Sequence, residues 1–134
     1  VTQMALRLMV EDRIDFLDMS LWDVFKEPEE ETYRGRTLMS YFTELDRHRT
    51  RLGVAGKIRT PQEAEATLAA GVDWIMLGRA AMLQHDFPNR YKADPTFKPV
   101  EPPVTGHYLS QEGLSQKFQG YIRPRWPEFF VEEG

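Results

Sequence analysis

Two short apolar runs in this chain end in glycine, and the residues that follow are of the types that hold phosphate. Residues 52–55 run into Gly56, with Lys57 and Arg59 close behind, and residues 72–77 run into Gly78, with Arg79 immediately after. Glycine at the end of a strand lets the backbone approach a ligand closely and adopt positive φ. A helix that starts just beyond adds unpaired N–H groups and a partial positive charge, both suited to an anion. The guanidinium of Arg79 offers bidentate, charge-assisted hydrogen bonds to phosphate oxygens, and Lys57 and Arg59 supply further positive charge. Either glycine alone reads as ordinary turn chemistry. The pair in register, with a capped helix after the first and an arginine after the second, makes Gly56, Lys57, Gly78 and Arg79 the candidate anion-binding residues.

These residues need elements that bring them together. Met4, Leu6, Leu8 and Met9 lie in a run without Gly or Pro that reads as the end of a helix, and Phe16, Leu17 and Met19 belong to a buried strand over about residues 14–20. A charged loop, KEPEEETYRGR, follows. Leu38, Tyr41, Phe42 and Leu45 recur at helical spacing and predict a helix over about 36–49. A second strand spans Leu52 to Ala55. Thr60, Pro61 and Glu63 give a strong helix start, the helix runs to about Ala70, and Gly71 fits a left-handed stop before a third strand in VDWIML. Strands alternating with helices at this spacing predict βαβ units and a parallel sheet, with ligands at the C-terminal strand ends. Gly56 and Gly78 are then neighbours in space.

A short helical stretch near 79–92 gives way to Pro95, Pro99, Pro102 and Pro103, an extended arm. Beyond it Leu114, Phe118, Tyr121 and Ile122 follow helical spacing, and Trp126, Phe129 and Phe130 form an aromatic end expected to dock. The expected organisation is a partial α/β barrel with phosphate-binding loops over 1–93 and an arm with a helical, aromatic tail over 94–134. Loops after strands 7 and 8 of a (β/α)8 barrel are a recurrent phosphate site, which makes the strand at 14–20 strand 6. The expected fold class is therefore α/β, the C-terminal part of a (β/α)8 TIM barrel, about strands 6 to 8.

The 134 residues are 41% hydrophobic and 28% charged, with a formal net charge of -4, and this acidic balance argues against a nucleic-acid surface. No apolar stretch reaches the length of a membrane span, and the N-terminus lacks a signal-peptide pattern, so the expectation is a cytoplasmic protein with small-molecule partners. The absence of cysteine removes disulfides, thiolate nucleophiles and cysteine-based zinc sites. His48, His85 and His107 show no spacing of a metal site or catalytic triad, and no metal site is assigned. Glu27, Glu29, Glu30 and Glu31 read as a solvated charge run, Trp22 as packing, with lining of the barrel mouth as the alternative, and Arg123 and Arg125 as part of the docking tail.

The stretch LGVAGKIRTPQEAEATLAAGVDWIMLGRAAMLQHDFPNRY resembles the C-terminal barrel segment of the Old Yellow Enzyme family, the NADH:flavin oxidoreductases. IDFLDMSLWDVF resembles the preceding strand of that family, and LSQEGLSQKFQGYIRPRW a tail found in some members. The resemblance implies an FMN-dependent barrel enzyme that takes hydride from NADH or NADPH and passes it to an activated alkene or related acceptor. It implies that the backbone at Gly56, with Gly78 and Arg79, holds the FMN phosphate. Lys57 stands where the family is often apolar or small. The family's flavin-ring contacts, substrate-binding pair and proton-donating tyrosine lie in earlier strands, so no catalytic residue carries over. Three βα units leave two open sheet edges, which implies a homo-oligomer or association with the missing barrel half. An isomerase or aldolase acting on a sugar phosphate, or a non-catalytic half-barrel module, are the alternative readings.

Overall fold

The strongest local signal in the chain folds as its chemistry dictates. In the computed structural model the Thr60 hydroxyl accepts a hydrogen bond from the Glu63 N–H at 3.2 Å, and the Glu63 carboxylate accepts from the Thr60 and Arg59 N–H groups at 3.0 and 2.7 Å. This closed capping box, with Pro61 in the first turn, starts a helix over Pro61–Ala69, and Gly71 follows it at φ 106°. The structure describes residues 1–132, and the last two residues of the 94–134 segment lie outside the described residues.

The chain is a mixed α/β protein that divides into two units, Val1–Gly78 and Arg79–Gly134. The first holds α1 (Thr2–Val10), β1 (Phe16–Ser20), α2 (Ser40–Thr43), β2 (Arg51–Ala55), α3 (Pro61–Ala69) and β3 (Trp74–Met76). Its three strands form one parallel sheet in the order β1-β2-β3. Phe16 lies opposite Arg51, Ser20 opposite Ala55, Gly53 opposite Trp74, and Ala55 opposite Met76.

Side chains alternate across a strand, and the core uses one set. Met19, Leu52 and Val54 are buried with Ala5 and Met9 of α1, Met39, Phe42 and Ala64, while Leu17 and Ile75 are partly buried against them. Full burial of a side chain such as Leu52 stabilises the fold by roughly 1.5–3 kcal/mol. The other set is more open: Phe16 is 57% exposed and Asp18 and Ser20 are exposed. There Phe16 meets the Trp74 ring edge-on at 5.6 Å. A side chain at Gly53 would collide with Trp74 Nε1 at 2.3 Å and Asp18 Oδ1 at 2.4 Å, so glycine makes room for the indole.

A latch fixes the beginnings of β2 and β3. Asp73 Oδ2 accepts from the Leu52 N–H at 2.7 Å and from Arg47 Nη1 at 2.9 Å, while Arg47 Nη2 donates to the Gly71 carbonyl at 3.1 Å. The Leu52 N–H bond holds the Asp73 carboxyl below its ordinary range; partial burial opposes this and Arg47 assists it.

The helix expected over 36–49 is a single turn, Ser40–Thr43. Its apolar stripe still packs inward, with Phe42 buried and Tyr41 and Leu45 against the core. The segment after it turns away to carry Arg47 to Asp73, and His48 adopts φ 49°, which ends helical geometry.

The second unit begins with α4 (Arg79–Leu83) and α5 (Phe87–Ala93), where one helical stretch was expected. Pro88 has no N–H with which to continue a helix from residue 84 and disfavours helical geometry at Phe87 within a continuous rod. Gln84 is buried at the break, and its side-chain oxygen accepts from the Val100 N–H at 2.8 Å. Leu83 belongs to the core formed by Val104, Leu109, Ile122 and Phe129, which is why this unit starts ahead of the composition change after residue 93. The arm reaches α6 (Gly106–Gln111) and α7 (Gln116–Ile122), capped by the Thr105 and Ser115 hydroxyls. Tail residues return to Val104: its N–H donates to the Phe129 carbonyl and its carbonyl accepts from the Val131 N–H, both at 3.0 Å. Phe129 is buried, with Trp126 and Phe130 packed against the same cluster. The stripe of Phe118 and Tyr121 is not the buried face of α7; both rings are exposed and stack on each other at 6.0 Å, while Gln119 and Ile122 point inward.

Candidate functional site

Gly56 and Lys57 sit at the C-terminal end of β2, and Gly78 follows β3 on the neighbouring strand. Because Ala55 and Met76 are register partners in parallel strands, the two glycine turns leave the sheet side by side. This is the end of a parallel sheet at which α/β proteins place ligands.

The two turns are built differently. At Gly56, φ is 157°, and a β-carbon would lie 2.3 Å from the Leu21 carbonyl oxygen and 3.2 Å from the Asp23 nitrogen. The segment after β1 is held against this turn: the Leu21 N–H donates to the Ala55 carbonyl at 2.8 Å and the Val24 N–H to the Gly56 carbonyl at 3.2 Å. Close approach of two backbones therefore accounts for glycine here. Lys57 adopts φ 49°, left-handed geometry that is uncommon for a residue with a β-carbon, and its ammonium stands 3.6 Å from Asp23 Oδ2. Asp23 also accepts from the Phe25 N–H at 3.0 Å, which fixes the carboxylate. At Gly78 a β-carbon would meet nothing within 4 Å. Trp22, beyond β1, is 75% exposed and is not packed into the core.

Arg79 opens the second unit. Its guanidinium lies 3.9 Å from Glu128 Oε1 and 5.3 Å from the centre of the Trp126 ring. The separation from Glu128 exceeds a direct hydrogen bond, so this pairing leaves guanidinium donors for a further acceptor. Arg123 and Arg125, set in the tail, lie over the Phe130 and Tyr121 rings at 4.3 and 3.8 Å.

One group that sequence spacing missed is in the second unit. His85, between α4 and α5, and Glu112, at the end of α6, are joined by His85 Nδ1 to Glu112 Oε2 at 2.7 Å and by the His85 N–H to the same oxygen at 2.9 Å. Burial opposes ionisation of Glu112, but the His85 backbone N–H and imidazole outweigh it and hold the carboxyl below its ordinary range. Asp86 completes the group, with ligand atoms of all three within 4.8 Å of one another. Two open depressions lie elsewhere. One of about 480 Å³ at the N-terminal ends of the strands is lined by Asp15, Phe16, Arg49, Arg51 and Trp74, and one of about 540 Å³ includes His107, Ser110 and Arg123.

No helix among the described residues is long and apolar enough to cross a membrane. Comparison with protein-family models, with curated proteins and with solved structures finds no match to this chain. Fold and site together define a mixed α/β protein with a small parallel sheet and two adjacent glycine turns at its C-terminal end.

Proposed function

We propose that this chain is the C-terminal part, about strands 6 to 8, of a (β/α)8 barrel oxidoreductase of the Old Yellow Enzyme type, and that it carries the anchor for the FMN phosphate. The carrying observation is the pair of glycine turns side by side at the C-terminal end of a parallel sheet, the second with open space above Gly78. The left-handed Lys57 beside Gly56 adds support, because strained backbone is maintained where the surroundings require it. The resemblance of residues 52–91 to the family's barrel segment supplies the choice of FMN among phosphate ligands.

In this reading Gly56 and Gly78 provide close backbone approach, Arg79 provides the bidentate cation, and Lys57 adds charge from its place beside Asp23. Bound FMN supplies hydride transfer from NADH or NADPH to an activated alkene or related acceptor. This chain contributes the anchor, and the catalytic groups belong to the remaining strands. The open strand edges and the exposed Phe16 face support assembly with those strands or with further copies of the chain, since parallel sheets are normally covered on both faces.

The test is titration of the chain with FMN, followed by flavin fluorescence and thermal unfolding. Saturable binding that weakens at least about tenfold in Arg79→Ala is expected, the size of one lost charge-assisted bidentate contact. Absence of flavin binding at saturating FMN, both for this chain and after addition of the complementary barrel strands, overturns the proposal. Protection by a sugar phosphate but not by FMN replaces it with an isomerase or aldolase reading, which the same glycine turns support.

A further inference from the structure

The group at His85, Asp86 and Glu112 is independent of the flavin reading and lies wholly within the second unit. We propose that these three side chains form a binding site for a divalent transition-metal ion of the zinc or cobalt kind.

The donor set is the first argument. One imidazole nitrogen and two carboxylates form a mixed nitrogen and oxygen set suited to zinc and its neighbours, and the two carboxylates outnumber the one guanidinium, Arg90, that pairs with Asp86. An all-carboxylate surface patch lacks this selectivity. The second argument is convergence. His85 and Asp86 come from the break between α4 and α5, whereas Glu112 comes from the end of α6, and the fold brings their ligand atoms within 4.8 Å of one another.

The third is preorganisation. The Glu112 side chain is only 12% exposed, and the His85 backbone N–H fixes its Oε2 at 2.9 Å. Asp86 is held by Arg90 Nε, at 2.9 and 3.0 Å from its two oxygens. A carboxylate has lone pairs enough to accept this bond and still ligate a metal, and ligating carboxylates are commonly hydrogen-bonded in this way. The 2.7 Å between His85 Nδ1 and Glu112 Oε2 is a proton-mediated contact in the metal-free protein. With metal–ligand bonds of about 2.0–2.2 Å, two ligands at a tetrahedral edge stand about 3.3–3.6 Å apart, so binding requires these atoms to separate by about 0.6–0.9 Å and the shared proton to leave. His85, 65% exposed at its side chain, leaves the ion an approach from solvent and room to adjust.

The experiment titrates the chelator-dialysed full chain with Co²⁺, read by visible d–d absorption, and then displaces it with Zn²⁺. One equivalent is expected to bind saturably near neutral pH. Affinity should fall at least tenfold in His85→Ala and in Glu112→Gln, and stay unchanged in His48→Ala. No saturable binding, or equal binding in the wild-type chain and His85→Ala, overturns the proposal. His85 is exposed, so its variant decides the matter even where Glu112→Gln fails to fold, and far-UV circular dichroism verifies that the His85→Ala chain is intact.

Discussion

Gly56 and Gly78 occupy equivalent places, each ending a strand of the same parallel sheet, yet they are glycines for different reasons. Gly56 is pressed against the Leu21 carbonyl, so folding alone requires a residue without a β-carbon. Gly78 has open space where a methyl group would sit, and packing does not demand it. The same residue type in the same position thus records a structural constraint in one turn and, in the proposed reading, the approach of a phosphate in the other. Function is read more safely from the glycine that packing does not explain.

The largest effect should come from closing the tight turn. Gly56→Ala places a methyl group 2.3 Å from a backbone oxygen, which has no rotamer by which to yield, and should cost about 3 kcal/mol or prevent folding. Urea unfolding measures this, and a loss below about 0.5 kcal/mol would dissolve the contrast between the two turns.

A smaller loss is expected at the opposite end of the sheet. Asp73→Ala strands the N–H of buried Leu52 and should cost about 1–3 kcal/mol. Because the folded-state pKa of Asp73 is depressed, its contribution is present above the unfolded carboxylate range and lost as the pH falls through the lower folded value. The wild-type chain should therefore lose stability relative to Asp73→Ala on acidification below about pH 4, and a gap between the two that is independent of pH would contradict the latch.

The smallest stability change should be at Gly78. Gly78→Ala should stay within about 0.5 kcal/mol of wild type while weakening FMN binding about tenfold. Unchanged flavin affinity would mean that Gly78 takes no part in the phosphate site.

What could be read from the sequence was local. Thr60, Pro61, Glu63 and Gly71 lie within a few residues of the groups they serve, so α3 and its stop were legible. The strands were legible as short apolar runs between turn residues, and their parallel pairing followed from the intervening helix. Contacts between distant residues were not. Nothing around Arg47 announces Asp73 as its partner, so the chain's departure from helix after Thr43 was hidden. Phe118 and Tyr121 follow helical spacing as well as buried residues do, yet they satisfy one another on the surface. His85 and Glu112 meet only because α4, α5 and α6 fold together, and no sequence spacing encodes that meeting. The clash that fixes Gly56 comes from Leu21, on another strand's exit.

The register of the sheet also has a consequence in time. Gly53 meets Trp74 across a segment that contains only the β2 exit, the self-capped α3 and its glycine stop, whereas Phe16 meets Arg51 across a longer segment whose one α-helix is a single turn. Loop closure costs more for longer segments, by about 0.6 kcal/mol per doubling, and α3 prepays part of the ordering within the shorter one. The β2–α3–β3 half is thus expected to form first, with β1 joining later, an order that φ-values at Val54 and Met19 would check.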